Sequence, residues 1–198
     1  EAEARESPAV AARLVERASP RLRELGERLR ALAPRYALAA GRGSSDAAAL
    51  LAKYLFEARL GLPTVSAAPS IRSIYGRQLN IEKALVLAIS QSGRSPDLVE
   101  FCKSATGPDV LRVGMINDED SPLAEIMDEF LSLEAGPEKS VAATKSCIAA
   151  MMLVFGLAAH WRNDADMIAA FERAPGVLAA ALAAARRSPP PMPRRWPT

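Results

Sequence analysis

A short apolar stretch that runs straight into small hydroxyl-bearing residues sets the strongest limit on how this chain can fold. Residues 85–89 are all apolar, and residues 90–95 then read Ser, Gln, Ser, Gly, Arg and Ser. A continuous apolar run of this length is typical of a parallel strand covered by helices on both faces. Pro96 can open a helix directly afterwards, because the first helical position needs no backbone N–H. The stretch predicts a strand, a polar turn and a helix start, which together suit a phosphate carried by a sugar.

Two further loops repeat this chemistry. A strand predicted over 36–40 is followed by Gly41, Gly43, Ser44 and Ser45 and then by an apolar helix over 47–60. The alternative is that these residues form only a turn with a helix cap and bind nothing. The loop 138–145 leads into a long apolar helix that reaches Trp161. Because the carboxyl ends of parallel strands meet at one edge of a sheet, the three loops should form one composite pocket. We therefore expect Ser44, Ser92 and Thr144 to share a single cradle.

The alternation of strands and helices predicts an α/β protein. Further strands are expected over 64–67, 110–116 and 130–133. The expected architecture is a three-layer α/β/α sandwich with a five-stranded parallel sheet of the flavodoxin-like type and with N- and C-terminal helices. Residues 8–32 predict one or two helices, with Ser19 as the N-cap of the second helix ahead of Pro20. The expected units are a helical segment 1–34, an α/β domain 35–161, and a helix with a disordered Pro/Arg tail over 162–198.

Composition excludes several classes of function. The net charge of +2 favours neither a nucleic-acid partner nor a membrane partner, and we find no apolar run long enough to span a bilayer. His160 is the single histidine, which excludes a histidine-based metal site and a Ser-His-Asp triad. The full G-x-G-x-x-G pattern is absent, which argues against a dinucleotide. Cys102 and Cys147 are expected to be buried free thiols, so we predict a cytoplasmic protein with no cofactor and no metal.

Three motifs in the right order resemble the SIS (sugar isomerase) domain family over residues 35–161. They are the turn 43–45, the stretch 88–93 and the loop 138–145. Within the family the chain is most similar to the first half of double-SIS aminosugar-phosphate enzymes. These are the SIS-type glucosamine-6-phosphate deaminases and the isomerase part of glutamine–fructose-6-phosphate aminotransferase. The residues of the three motifs favour the deaminase branch.

The resemblance implies a role for each matched residue. It implies that the phosphate is bound by Ser44, Ser45, Ser90, Gln91, Ser92 and Ser95. It implies that the sugar contacts Gly43, Val141, Ala142 and Lys145, although Lys145 can also pair with a carboxylate to hold its loop. Glu138, at the entrance of that loop, is the local candidate for an acid or base.

The chain departs from these relatives in two ways. The double-SIS enzymes continue for another domain, which supplies the carboxylate that moves protons between C1 and C2. Ala47 stands where relatives often carry a histidine. We therefore expect binding without turnover, a partner that is a second SIS domain or a homodimer mate, and a tail that reflects truncation or a shifted reading frame. The alternatives are a lone SIS module that senses a sugar phosphate, a fragment of the aminotransferase, and an inert fragment.

Overall fold

The computed structural model describes residues 2–140 and 143–187, which alternate between strands and helices as predicted. The strands are β1 Tyr36–Gly41, β2 Thr64–Ser66, β3 Ala84–Ser90, β4 Leu111–Ile116 and β5 Glu129–Ser132. The helices are α1 Ala2–Leu32, α2 Ser44–Leu55, α3 Ser70–Ser73, α4 Pro96–Ser104, α5 Pro122–Ile126, α6 Lys145–Arg162 and α7 Ala165–Arg187. A π-helical turn, Phe56–Leu60, extends α2 and ends at Gly61, whose φ of 66° is left-handed. The predicted tail, 188–198, lies outside the described residues.

The five strands form one parallel sheet in the order β2-β1-β3-β4-β5. β2 and β3 lie on opposite sides of β1, so the winding direction reverses between β1 and β3. β3 is central, and all seven of its residues are buried. The loops that follow β1 and β3 are therefore neighbours at the switch point, where ligands bind in sheets of this kind. The predicted five-stranded parallel sheet is confirmed.

Helices cover both faces of the sheet. Leu85, Leu87 and Ile89 of β3 pack with α1, α2 and α6 on one face. Val86 and Ala88 point to the other face and pack with α4 and α5, since successive strand residues alternate. α7 contacts α1 and α6, two of the helices that cover the first of these faces. This arrangement confirms the three-layer α/β/α sandwich.

The first helix is unbroken, so the predicted division at Ser19 and Pro20 is wrong. Ser19 is not an N-cap: its hydroxyl donates to the Val15 carbonyl oxygen at 2.5 Å, within the helix. Pro20 removes one backbone hydrogen bond and would normally kink or break the helix. Burial across the proline outweighs this loss, because one apolar stripe continues on both sides of it: Leu14, Ala18, Leu22, Leu25 and Leu29.

α1 and α6 run parallel in close contact. A methyl group on Gly26 of α1 would lie 2.7 Å from the His160 carbonyl oxygen of α6. Arg30 donates from Nη1 to the carbonyl oxygens of His160 and Trp161, at 2.6 and 2.9 Å, and so caps the end of α6. The His160 imidazole is buried, and its Nε2 has no hydrogen-bond partner among the described residues. Burial lowers the pKa of His160, and the charges of Arg23 and Arg30 lower it further against the opposing effect of Glu172.

We expect His160→Leu to remove part of the acid sensitivity of folding. The folded chain keeps His160 neutral below its ordinary pKa of 6.5, whereas the unfolded chain takes up a proton there. The free energy of unfolding should therefore fall as the pH drops from the unfolded pKa towards the lowered pKa of the folded state. Urea unfolding of both proteins at about pH 7.5 and about pH 5.5 measures this difference. An equally large fall in the leucine variant would rule out His160 as the group responsible.

α7 is a long apolar helix that is largely exposed. By length and composition alone it could cross a membrane: Ala165–Ala185 has 21 residues, a mean hydropathy of 1.4 and 11% of its span buried. The expectation that no apolar run reaches this length is wrong, because alanine, a strong helix former, also raises the mean hydropathy. Met167 and Phe171 are buried against the rest of the chain. Beside them an apolar groove of about 390 Å³ opens between α6 and α7.

The two cysteines differ in burial. Cys102 is buried in α4, as expected, and burial raises the pKa of its thiol to about 12. Cys147 is partly exposed, contrary to expectation, because it lies in the first turn of α6, with Sγ 3.6 Å from the Ser44 carbonyl oxygen of α2.

Candidate functional site

The loops that follow β1, β3 and β5 meet at one polar cavity of about 260 Å³. The first turns of α2 and α4 and the loop before α6 surround it. Helix N-termini present unpaired N–H groups and the positive end of the helix dipole, so this placement favours an anion. Serine is the commonest residue among the described lining residues, which are Arg42, Gly43, Ser44, Ser45, Ser90, Gln91, Ser92, Ser95, Glu138, Ser140 and Ala143.

The turn between β3 and α4 is held by its own serines. The Ser90 Oγ accepts from the Gly93 N–H at 2.9 Å, and the Ser92 Oγ accepts from the Arg94 N–H at 3.3 Å. Each oxygen uses a lone pair for the turn and keeps its own proton for donation to a ligand. Gly93 has a φ of 62°, which favours glycine. Pro96 then opens α4, as predicted.

The turn between β1 and α2 brings two backbones together. A Cβ on Gly41 would lie 2.6 Å from the Ser45 carbonyl carbon, so glycine allows this approach. α2 begins at Ser44, three residues before the predicted start, and Gly43 occupies its N-cap position with a φ of 58°. The earlier start places the first turn of α2, with Ser44 and Ser45, at the cavity.

Glu138 caps α6. Its Oε1 accepts from the backbone N–H groups of Thr144 and Lys145, at 2.8 and 2.9 Å, and its Oε2 accepts from the Ser146 hydroxyl. A carboxylate in this position satisfies donors that the helix cannot pair internally. Both oxygens are thus engaged by α6. The acid or base role predicted for Glu138 gains no support from this geometry and stays a prediction.

The first turns of α1 fasten the loop that borders the cavity. Glu3 accepts from the backbone N–H groups of Lys139 and Ser140, at 2.6 and 3.1 Å. The hydrogen bond from Lys139, followed by those from Ser140, lowers the pKa of Glu3. Lys145 is buried, and its Nζ lies 2.6 Å from the Glu6 Oε2. Lys145 therefore pairs with a carboxylate and does not line the cavity, so its predicted contact with a sugar stays a prediction.

The structure brings most of the predicted residues together. Those that line the cavity are Gly43, Ser44, Ser45, Ser90, Gln91, Ser92, Ser95 and Glu138. Thr144 occupies the N-cap position of α6, next to the lining residue Ala143 but not in the lining itself. Val141 and Ala142 lie outside the described residues. Within residues 2–140 and 143–187, no three His, Cys, Asp or Glu side chains cluster in a way that could hold a metal ion.

Arg42 also lines the cavity, although no role was predicted for it. Its Nε lies 3.4 Å from the Asp97 Oδ2, and its side chain is 60% exposed. It is the one cationic side chain among the lining residues that the structure describes. Its place between Gly41 and Gly43, immediately after β1, is the signal that could have found it.

Known proteins are similar to this chain in both sequence and fold. The SIS domain family model matches residues 35–160. The chain is 35% identical over 137 residues to the glutamine–fructose-6-phosphate aminotransferase (isomerizing) of Thermus thermophilus, which is 69% of this chain and 22% of that protein. The protein of the same name from Pyrococcus horikoshii is 40% identical over 107 residues, or 54% of this chain and 18% of its own length. The chain thus spans about a fifth of these curated relatives.

Two solved structures extend the comparison. A candidate phosphosugar isomerase from Silicibacter pomeroyi matches with a TM-score of 0.87 and 37% identity, over 90% of this chain and 55% of that one. The C-terminal domain of glucosamine-fructose-6-phosphate aminotransferase from Francisella tularensis matches with a TM-score of 0.74 and 22% identity. The match covers 93% of this chain and 54% of that one. The second likeness concerns the fold alone, and the chain spans about half of either structure. Because the family model matches well over half of its residues, the chain belongs to the SIS domain family.

Proposed function

We propose that the chain binds a sugar phosphate and forms the first half of an aminosugar-phosphate isomerase or deaminase. The observation that carries the proposal is the hydroxyl-rich cavity at the switch point of the sheet. In this proposal the phosphoryl group lies among Ser44, Ser45, Ser90, Gln91, Ser92 and Ser95. The sugar then extends towards Gly43 and the loop 138–145. The substrate pair is glucosamine 6-phosphate and fructose 6-phosphate.

The reaction proposed for the complete enzyme moves a proton next to a carbonyl through a cis-enediol or enolamine. It needs a general base, a means of opening the sugar ring and a fixed phosphate. The described residues at the cavity supply serine hydroxyls and backbone N–H groups, which suit the third task. Glu138, the one carboxylate among the described lining residues, is engaged at α6. We therefore infer that this chain alone binds its ligand without turnover.

The proposed partner is a second SIS domain, in the same polypeptide or in a second copy of the chain. The lengths of the relatives support this, since the chain spans 55% of the Silicibacter pomeroyi structure. We place the protein in the cytoplasm, which agrees with the two free thiols, Cys102 and Cys147.

Thermal unfolding with increasing glucosamine 6-phosphate, fructose 6-phosphate or inorganic phosphate tests the binding proposal. A ligand at about 100 times its dissociation constant adds about 2.7 kcal/mol to stability. We expect stabilisation by the phosphorylated sugars and none by glucosamine itself. The absence of any shift would overturn the proposal. Release of ammonia from glucosamine 6-phosphate by this chain alone would overturn the inference that it binds its ligand without turnover.

Ser92→Ala should weaken phosphate binding by about 1–3 kcal/mol, because a buried charged acceptor loses a donor. Ser73→Ala, an exposed serine on α3, provides the matched control and should leave the affinity unchanged. Titration calorimetry with fructose 6-phosphate measures both. Equal affinities for the two variants would place the phosphate elsewhere.

A further inference from the structure

We propose that Arg42 is the cation that recognises the phosphate, and that Asp97 holds its guanidinium at the rim of the cavity until the ligand binds. This inference rests on the proposed function and names the charge on which that function depends. The sequence motifs give no role to Arg42, although it lines the cavity.

The charge balance of the cavity calls for a cation. A phosphate monoester carries between one and two negative charges at neutral pH. The serines and Gln91 offer neutral donors, while Glu138 adds a negative charge that is already paired with the N-terminus of α6. Arg42 is the cationic side chain of the described lining, and a guanidinium matches phosphate with two parallel hydrogen bonds.

The position of Arg42 leaves its side chain able to turn towards a ligand. It stands on a turn between Gly41 and Gly43, and its side chain is 60% exposed. The 3.4 Å between its Nε and the Asp97 Oδ2 is longer than a good hydrogen bond. An exposed ion pair of this kind contributes little to stability, so exchanging it for a phosphate costs little.

Asp97 remains well placed after Arg42 leaves it. Its Oδ1 accepts from the Leu98 N–H at 2.9 Å, in the first turn of the nine-residue helix α4. A carboxylate is favourably placed at this end of a helix, whether or not Arg42 pairs with it. It therefore competes with the phosphate for the guanidinium and repels the bound anion.

These relations predict opposite effects for two substitutions. Arg42→Gln should weaken the binding of inorganic phosphate and of fructose 6-phosphate by about tenfold to a hundredfold, the usual effect of a charge-assisted hydrogen bond. Asp97→Asn should tighten both by about twofold to fivefold, because the competitor loses its charge. General damage to the fold would weaken binding in both variants, so the tightening is specific to the proposal.

Titration calorimetry at fixed ionic strength, with the full chain, provides the measurement. Arg35→Gln is the matched control: Arg35 pairs with Glu82 at 3.1 Å, is similarly exposed and lies at the other end of β1. If the unaltered chain binds neither phosphate nor fructose 6-phosphate, the proposed function fails together with the role of Arg42. If it binds both and Arg42→Gln matches Arg35→Gln, the role of Arg42 alone is overturned. Unchanged or weaker binding by Asp97→Asn would overturn the holding role of Asp97.

Discussion

Gly93→Ala is expected to unfold the turn between β3 and α4 and to abolish phosphate binding. Gly93 has a φ of 62°, and a Cβ there would lie 2.0 Å from the Ser121 Oγ and 2.5 Å from the Ser121 Cβ. Ser121 is buried and caps α5, so it cannot move aside without losing its hydrogen bond to the Ala124 N–H. The left-handed backbone and the overlap of the new Cβ with Ser121 should together lower the free energy of unfolding by about 2–5 kcal/mol.

Gly136→Ala separates the two causes. Gly136 has a φ of 65°, but nothing lies within 4 Å of a Cβ placed there. The free energy of unfolding of this variant should fall by about 1–2 kcal/mol, from the left-handed backbone alone, and phosphate binding should persist. Urea unfolding and phosphate titration of both variants provide the measurement. Equal losses of stability would mean that the contact with Ser121 is unimportant.

Glu6→Gln is expected to destabilise the chain far more than removal of its partner. The Lys145 Nζ lies 2.6 Å from the Glu6 Oε2, and the lysine side chain is 4% exposed while the glutamate is 54% exposed. Loss of the carboxylate leaves the buried ammonium of Lys145 without its charged partner at the N-terminus of α6, where the dipole disfavours a cation. Since Glu6 itself is half in water, we expect a loss of about 1–3 kcal/mol, below the usual range for a fully buried pair.

The double-mutant cycle with Lys145→Met completes this test. Lys145→Met removes the buried charge and leaves Glu6 in contact with water, so its cost should be small, and the double variant should resemble it. Glu16→Gln, on the exposed face of the same helix, is the control. Fructose 6-phosphate binding that survives Lys145→Met would assign Lys145 to holding the loop, whereas loss of binding in a folded variant would favour the predicted sugar contact.

Local patterns account for what the sequence predicts well. The run 85–89 followed by small polar residues and Pro96 specifies a strand, a turn and a helix within a few positions, and parallel pairing then brings such turns to one edge of the sheet. Ser44, Ser45, Ser90 and Ser92 could therefore be assigned to one cavity before any coordinates were known. The same pattern predicts the third loop, 138–145, and the family resemblance then implies roles for its residues.

Contacts between distant parts of the chain account for what the sequence does not predict. The continuity of α1 through Pro20 depends on burial against α6, more than 120 residues further on. Glu3 and Glu6 look like ordinary charges at the start of a helix, and their partners are 136 to 139 residues away. The capping role of Glu138 depends on how the loop folds back onto α6, which no spacing rule specifies.

The attachment of Glu3 and Glu6 to Lys139, Ser140 and Lys145 has a practical consequence. α1 is fixed at one end beside the polar cavity and at the other by Arg30 to the end of α6. A purification tag fused ahead of residue 2 would therefore stand next to the cavity mouth and compete for space with any ligand or partner.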